Sequence, residues 1–271
     1  MARRSHDLID IAACPILVPA LTSRAVALTH PIAATLGDCD VAYTATDTGL
    51  DVAIRTDRKF KAERLTLLAQ RSGAARLSLN GEIVIETRPP AVKMGKALVE
   101  IPIASFLQAT AEAEATLARL VRDGVGAAKS VADLFCGVGP FTLRLAETAR
   151  VFAADADKPA LAALQKAVKH TQGLKPVTTA VRDLFREPLV PRELDAHDAV
   201  VFDPPRAGAE AQARELAKSK VRTVVAVSCE PRTFARDAAI LIAGGYRLES
   251  VTPVDQFAWS THVEVVGVFR R

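Results

Sequence analysis

Small and polar residues stand at the ends of five predicted strands in the second part of the 271-residue chain. In an open α/β sheet, ligands bind in the crevice at the carboxyl ends of the parallel strands. Short loops favour Asp, Pro and Gly in any protein, but five such loops in succession predict one binding site. The loops begin at Cys136, Asp155, Asp183, Asp203 and Ser228.

The first two loops have features of a nucleoside-binding site. The turn Gly137-Val138-Gly139 lets the backbone approach a ligand closely, and Asp155 can accept both hydroxyls of a ribose. NAD and S-adenosylmethionine both meet that description. The dinucleotide pattern has a third glycine three residues after Gly139, where this chain has Thr142. That difference, together with the acid at Asp133, favours the methyl donor.

A thiol and two acids are the candidate reactive groups. Cys229 ends an apolar strand just before a helix, where a thiol has a lowered pKa, although most free cysteines are simply buried apolar residues. His262 and Glu264 are two residues apart, so we expect them on one face of the last strand. If that face is buried, the raised pKa of Glu264 suits proton transfer; an exposed face is the alternative. Pro204-Pro205 holds Asp203 rigidly.

Helices and strands alternate from residue 109 onward, which predicts a parallel sheet with helices on both faces. The last two strands have only a short connection, so we expect an antiparallel hairpin there. We therefore predict a Rossmann-like α/β domain over 101–271, and a smaller, mostly β, α+β domain over 1–100. The smaller domain contains predicted hairpins over 41–56 and 75–87, a helix over 60–71 and a strand over 97–103.

Composition limits the class of protein further. Lys and Arg total 35 against 31 acids, which permits a nucleic-acid partner without requiring one. The four cysteines form no CxxC pair, so a zinc site or a disulfide framework is not expected. No apolar run reaches the roughly 20 residues of a membrane helix, and the first ten residues lack a signal-peptide core. We therefore expect a cytoplasmic protein with no membrane partner.

Taken together, five segments resemble the RNA uridine carbon-5 methyltransferases, which make 5-methyluridine in ribosomal and transfer RNA. The resemblance covers roughly residues 97–271 and, more weakly, Ser5 to Pro19. It implies a class I methyltransferase fold, S-adenosylmethionine as cofactor and RNA as partner. The segments are SFLQ at 105–108, DLFCGVGPF at 133–141, DPPRAG at 203–208, SCEPRTFARD at 228–237 and DQFAWSTHVE at 255–264.

The resemblance implies a role for each matching residue. Cys229 matches the nucleophile that adds to carbon 6 of uracil, and Glu264 matches the base that removes the carbon-5 proton. Asp203 matches the acid at the pyrimidine and methionine end of the site. We assign Phe106, Gln108 and Arg206 to the target base, and to the cofactor pocket Gln108, Phe135, Gly137, Gly139, Asp155, Asp183 and Asp203.

The chain also departs from the family pattern. Glu230 stands where the family usually has Asn, and a carboxylate beside Cys229 disfavours its thiolate. Residues 257–260 read Phe-Ala-Trp-Ser in place of Phe-Pro-Gln-Thr. The OB-type RNA-binding domain and the cysteine cluster common in the family are missing, which suggests a truncated or reduced form. Cys14 resembles the last cluster ligand but has no upstream partners, so we expect no iron–sulfur cluster and no metal.

Three other functions stay open at this stage. Enzymes that make 5-methylcytidine use similar covalent activation, but they typically have a cysteine after the Asp-Pro turn, where this chain has Arg206. A nicotinamide-dependent oxidoreductase is disfavoured by the missing third glycine. The last alternative is a non-catalytic RNA-binding remnant, which a test of methyl transfer would distinguish.

Overall fold

The computed structural model describes residue 14 and residues 16–58, 62–257 and 260–271. Contacts divide the chain into two compact units, Met1–Val92 and Lys93–Arg271, which are called the N-terminal and C-terminal units below. The sequence placed the boundary at residue 100 instead, and that assignment of domains stays a prediction.

The described part of the N-terminal unit contains a four-stranded sheet and two helices. The sheet has the order β1-β2-β3-β4, in which β2 and β3 are parallel and the other pairs are antiparallel. Both predicted hairpins are confirmed by these pairings, and positive φ angles at Asn80 and Gly81 make the second tight turn. In chain order the elements are α1 (Pro19–Leu36), β1 (Asp40–Thr46), β2 (Gly49–Arg55), α2 (Ala62–Ser72), β3 (Arg76–Leu79) and β4 (Glu82–Glu86).

Helix α1 was not predicted, because Pro31 lies in its interior and proline usually breaks a helix. Its apolar side nevertheless packs into the core of the unit, where Ile32 and Leu36 are buried against strand and α2 residues. Tertiary packing therefore outweighs the local preference. Helix α2 agrees with the helix predicted over 60–71, of which residues 60 and 61 lie outside the described part of the chain.

Strands β5 (Ala91–Met94) and β6 (Ala97–Glu100) pair as a two-stranded sheet. A seven-stranded sheet follows in the order β12-β13-β11-β10-β7-β8-β9. The remaining elements are α3 (Ala111–Val125), β7 (Ser130–Leu134), α4 (Pro140–Leu145), β8 (Arg150–Asp155), α5 (Lys158–His170), β9 (Val177–Val181), α6 (Pro191–Leu194), β10 (Ala199–Phe202), α7 (Glu210–Lys218), β11 (Thr223–Ser228), α8 (Pro231–Ala243), β12 (Arg247–Val254) and β13 (Glu264–Arg270).

The seven-stranded sheet confirms the predicted α/β fold. Strands β7 to β11 are parallel to one another, whereas β13 is antiparallel to both β11 and β12. Alternate residues along the strands enter two different apolar cores, which α3 and α4 cover on one face and α6, α7 and α8 on the other. One expectation was wrong: His262 precedes β13 and is exposed, so it does not share a strand face with Glu264.

Candidate active site

The reversed direction of β13 places an acid beside the predicted nucleophile. Ser228, the last residue of β11, pairs with Val265, near the start of β13. Cys229 follows Ser228 and Glu264 precedes Val265, so both lie at the carboxyl edge of the parallel strands. Asp203 follows β10, the next strand of the sheet, at the same edge. Three of the residues singled out from the sequence are therefore brought together.

The surroundings of Cys229 raise the pKa of its thiol. Burial is the largest cause, and the negative charges of Glu264 and Asp203 add to it; a backbone hydrogen bond and the Arg206 guanidinium act in the opposite direction. The net direction is opposite to the lowered pKa expected at the start of a helix. The position before α8 therefore affects the pKa of this thiol less than its burial and the charges of the two acids.

Asp203 and Glu264 form an acid pair in which the two carboxyls have different environments. Glu264 is buried, which raises its pKa, while a hydrogen bond from Gln256 and the charge of Arg206 oppose that effect. Burial, and then the charges of Glu264 and Asp133, raise the pKa of Asp203 to about 8. At neutral pH Asp203 is therefore mainly protonated, and Glu264 is the acid that ionises first.

Two glutamines connect these acids, and the sequence identified only one of them. Gln108 Nε2 donates to Asp203 Oδ2 at 3.4 Å, as expected for a residue assigned to the site. Its Oε1 accepts a hydrogen bond from Gln256 Nε2 at 2.8 Å. Gln256 also hydrogen-bonds Glu264. No spacing rule distinguishes Gln256, because the loop that carries it departs from the family pattern and its partners are distant in sequence.

The predicted nucleoside side of the site is built from backbone turns. Asp155 ends β8, and its Oδ2 accepts the Gly137 N–H at 2.8 Å while its Oδ1 accepts the Asp157 N–H at 2.8 Å. These bonds fix the carboxylate and leave lone pairs on both oxygens for further donors. Gly137 has φ +52° and open space where a β-carbon would lie, which suits close approach of a ligand.

Gly139 has a different role from Gly137. It has φ +90°, and a β-carbon there would lie 2.5 Å from Leu164 Cδ1 on α5. The geometry explains this glycine by helix packing rather than by contact with a ligand. The structure therefore supports the assignment of Gly139 to the cofactor pocket less than that of Gly137.

Aromatic rings and a carboxylate extend this side of the site. Phe135 has φ +59°, and its ring centroid lies 5.3 Å from that of Phe185. Asp183 Oδ1 accepts the Phe185 N–H at 3.0 Å, and the second oxygen lies 3.5 Å from Arg186 Nε. Phe135 and Asp183, which were assigned to the same pocket, are thus joined through Phe185.

Asp133 is a buried acid whose environment the sequence did not reveal. Thr142 Oγ1 donates to its Oδ2 at 2.5 Å, whereas its Oδ1 has no hydrogen-bond partner in the described part of the chain. Burial is the largest cause of a pKa raised to about 7. Thr142, which stands where the dinucleotide pattern has its third glycine, is therefore the hydrogen-bond partner of this acid.

Phe106 and Arg206, the residues assigned to the target base, lie on exposed loops. Phe106 is 81% exposed. The Arg206 carbonyl accepts the Thr233 hydroxyl at 3.1 Å, which ties this loop to α8, and the guanidinium lowers the pKa of both Cys229 and Glu264. The same loop is held by Ala209 N–H, which donates to the buried Asp237 Oδ2 at 2.6 Å.

Metal ligands and membrane spans were also sought in the described residues. No three His, Cys, Asp or Glu side chains are grouped so that they could hold a metal ion. Cys14 is a half-buried free thiol. None of the described helices combines the length and the apolar character needed to cross a bilayer.

Known proteins resemble this chain over nearly all of its length. An uncharacterized RNA methyltransferase of Brucella suis is 53% identical over 274 residues, covering 99% of this chain, and this chain spans 66% of that relative's length. The 23S rRNA (uracil(1939)-C(5))-methyltransferase of Chromohalobacter salexigens is 34% identical and covers the whole chain, which spans 60% of it.

Solved structures establish the fold independently. The tRNA (uracil-54, C5)-methyltransferase of Pyrococcus abyssi, solved in complex with S-adenosyl-L-homocysteine, superposes with a TM-score of 0.79 at 21% identity. The superposition covers 97% of this chain and 69% of the other. The family model described as tRNA (Uracil-5-)-methyltransferase matches residues 49–271. Because that match covers well over half of the sequence, the chain belongs to the tRNA (uracil-5-)-methyltransferase family.

Proposed function

We propose that this chain transfers a methyl group from S-adenosylmethionine to carbon 5 of a uridine in ribosomal or transfer RNA, through a covalent Cys229 adduct at carbon 6. The observation that carries the proposal is the meeting of the Cys229 thiol with two acids, Asp203 and Glu264, at one edge of the sheet. Family membership supports the same reaction.

The reaction needs a nucleophile because carbon 5 of uracil is itself a poor one. Addition of the Cys229 thiolate to carbon 6 makes an enolate that is nucleophilic at carbon 5, so one difficult step becomes several easier ones. Burial and the charges of Glu264 and Asp203 raise the pKa of the Cys229 thiol, and the Arg206 guanidinium partly opposes that rise and so favours the thiolate. After methylation, Glu264 removes the carbon-5 proton, the double bond re-forms and the thiolate leaves carbon 6.

Asp203 supports uridine rather than cytidine as the target. A protonated carboxyl can donate a hydrogen bond to the carbonyl oxygen on carbon 4 of uracil, whereas cytosine has an amino group there that cannot accept one. Asp203 is mainly protonated at neutral pH because its pKa is about 8. The neighbouring Pro204, Pro205 and Arg206 include no cysteine to serve as an alternative nucleophile.

The residues opposite the acid pair fit a nucleoside cofactor. Asp155 has free lone pairs for two ribose hydroxyls, Gly137 leaves room for close approach, and Phe135 offers an apolar ring. When bound, S-adenosylmethionine supplies an electrophilic methyl group. Asp183 and Gln108 would complete the pocket.

RNA is the partner in this proposal, and the target base leaves its stack to reach the acids and the thiol. Phe106, 81% exposed, is available to contact that base or its neighbours. The domain over 1–100 is proposed to lie on the RNA side. A cytoplasmic location, with no iron–sulfur cluster in this chain, completes the proposal.

Isotope-labelled S-adenosylmethionine and unmodified ribosomal and transfer RNA test the reaction, with the nucleosides identified by mass spectrometry. Labelled 5-methyluridine is the expected product. Labelled 5-methylcytidine would show that the target is cytidine instead of uridine. Absence of product while the cofactor still binds would contradict the proposed activity.

Cys229→Ala tests the covalent step. We expect no detectable product but unchanged cofactor binding, because the variant removes only the group that adds to carbon 6. Cys39→Ala, which removes a half-buried free thiol of the N-terminal unit, is the matched control and should keep full activity. Turnover by Cys229→Ala would contradict the mechanism.

A further inference from the structure

We infer that Gln256 is a positioning residue that holds the base Glu264 and the loop residue Gln108 as one unit. The inference rests on the proposed function and deepens it. No pattern in the sequence points to Gln256, and the evidence for its role is the set of contacts that its amide group makes.

The orientation of the Gln256 amide follows from its partners. The backbone N–H of Ala109 lies 3.1 Å from Gln256 Oε1, and an N–H can only donate, so that atom is the acceptor end of the amide. The amide nitrogen therefore faces the other way, where it donates to Gln108 Oε1 at 2.8 Å. A reversed amide would lose both bonds.

The Gln256 amide also acts on Glu264, whose partner across the two last strands, Val254, lies two residues before Gln256. Burial raises the pKa of that carboxyl, and the hydrogen bond from Gln256 is the larger of the two influences that oppose the rise, the other being Arg206. Asp203 and Cys229 are the remaining titratable groups whose charges interact with Glu264. Gln256 thus helps to keep the base ionised among groups that favour its protonated form.

Gln108 links Gln256 to the second acid, Asp203. Its Oε1 is occupied by Gln256, so its own amide nitrogen is directed to Asp203, 3.4 Å away. The series Glu264, Gln256, Gln108 and Asp203 joins the start of β13, the loop after β12, the SFLQ segment and the end of β10. Both acids receive an N–H at the ends of this series, which favours the ionised form of each. Burial and the charges of Glu264 and Asp133, and not the amides, are what raise the pKa of Asp203.

Gln256→Met tests this role, since it keeps the length of the side chain and removes all of its hydrogen bonds. We expect the acidic limb of the rate–pH profile to move up by about one pH unit, so that turnover on uridine-containing RNA falls about tenfold on that limb. Gln256→Glu keeps an acceptor for Ala109, loses the donor to Glu264 and adds a negative charge beside that carboxyl, so its limb should move further in the same direction.

RNA that contains 5-fluorouridine distinguishes proton removal by Glu264 from the earlier steps of the reaction. Fluorine occupies the place of the proton that Glu264 removes, so the Cys229 adduct forms and takes the methyl group without that step. We expect Gln256→Met to trap this adduct at a rate within about threefold of the unchanged chain. Gln165→Met, which alters an exposed glutamine of α5, is the matched control and should change neither measurement.

The outcomes separate the inference from the function on which it rests. A pH profile that does not move in Gln256→Met, or adduct formation that falls as much as turnover, overturns the inference and indicates a merely structural role for the loop. Melting temperatures of both variants show whether a loss of folding is responsible. Absence of 5-methyluridine with the unchanged chain overturns the proposed function itself.

Discussion

A buried carboxylate of the N-terminal unit is paired with an arginine, whereas the acids at the candidate site of the C-terminal unit have no such partner among the described residues. In the N-terminal unit, Asp51 is 2% exposed and receives two hydrogen bonds from Arg76, at 2.9 Å and 2.7 Å. In the C-terminal unit, Asp133, Asp203 and Glu264 take part in none of the ion pairs found among the described residues, and the pKa of each is raised.

The difference shows which buried acids serve the fold and which serve chemistry. A bidentate arginine compensates Asp51 for the loss of water, so this charge is an internal cross-link between strands β2 and β3. In the C-terminal unit, Arg236 compensates the buried Asp237 in a similar way. Asp133, Asp203 and Glu264 lack such compensation, and the pKa of each is raised. Groups of that kind cluster where proton transfer is needed.

Arg76→Met would break the compensated pair and should have the largest effect. We expect the free energy of unfolding to fall by about 3–5 kcal/mol, because Asp51 is left charged in the core. Urea denaturation of the full chain measures this. Arg58→Met, which removes an exposed pair with Asp38, is the control and should cost at most about 1 kcal/mol.

The double variant Arg76→Met with Asp51→Leu sharpens the same test. Replacing both members of a buried pair by apolar residues is often neutral, so most of the lost stability should return. If the double variant is as unstable as Arg76→Met alone, the pair is not the cause of the loss.

Asp133→Asn should have an intermediate effect that depends on pH. The folded pKa, about 7, is raised above the ordinary 3.8, so the stabilising contribution is complete below pH 4 and is lost as pH rises towards 7. Asparagine does not ionise and can still accept from Thr142. Relative to the unchanged chain, we therefore expect the variant to gain about 3–4 kcal/mol between pH 4 and pH 8. Thermal melts across this range would contradict the assignment if the difference stays constant.

Glu230→Asn should have the smallest effect. The Glu230 carboxylate caps α8, because its Oε1 accepts the Arg232 N–H at 3.2 Å, and the acids that raise the pKa of Cys229 are Glu264 and Asp203. Asparagine is also a good N-cap. We expect a stability change below about 0.5 kcal/mol and turnover within about twofold. A marked rise in thiol reactivity would instead support the view that Glu230 suppresses the thiolate.

Periodicity and turn chemistry were reliable where local rules control the structure. The Asn80-Gly81 hairpin and the alternation of helices and strands after residue 109 could be predicted because each depends on neighbouring residues. Helix α1 could not, since Pro31 obscured it and its stability comes from packing of Ile32 and Leu36. Gln256 was missed for a related reason. Its partner Gln108 is remote in the sequence, and no motif links Gln256 to Glu264.

The sequence by itself determined the α/β class, the order of the strand-end loops and the types of reactive residue, because these follow from local patterns and from short motifs. Only the tertiary structure decided their chemical state. The antiparallel β13 brings Glu264 beside Cys229 and Asp203, and burial among like charges then raises the pKa of all three. Burial and charge proximity depend on three-dimensional distance, which spacing along the chain does not specify.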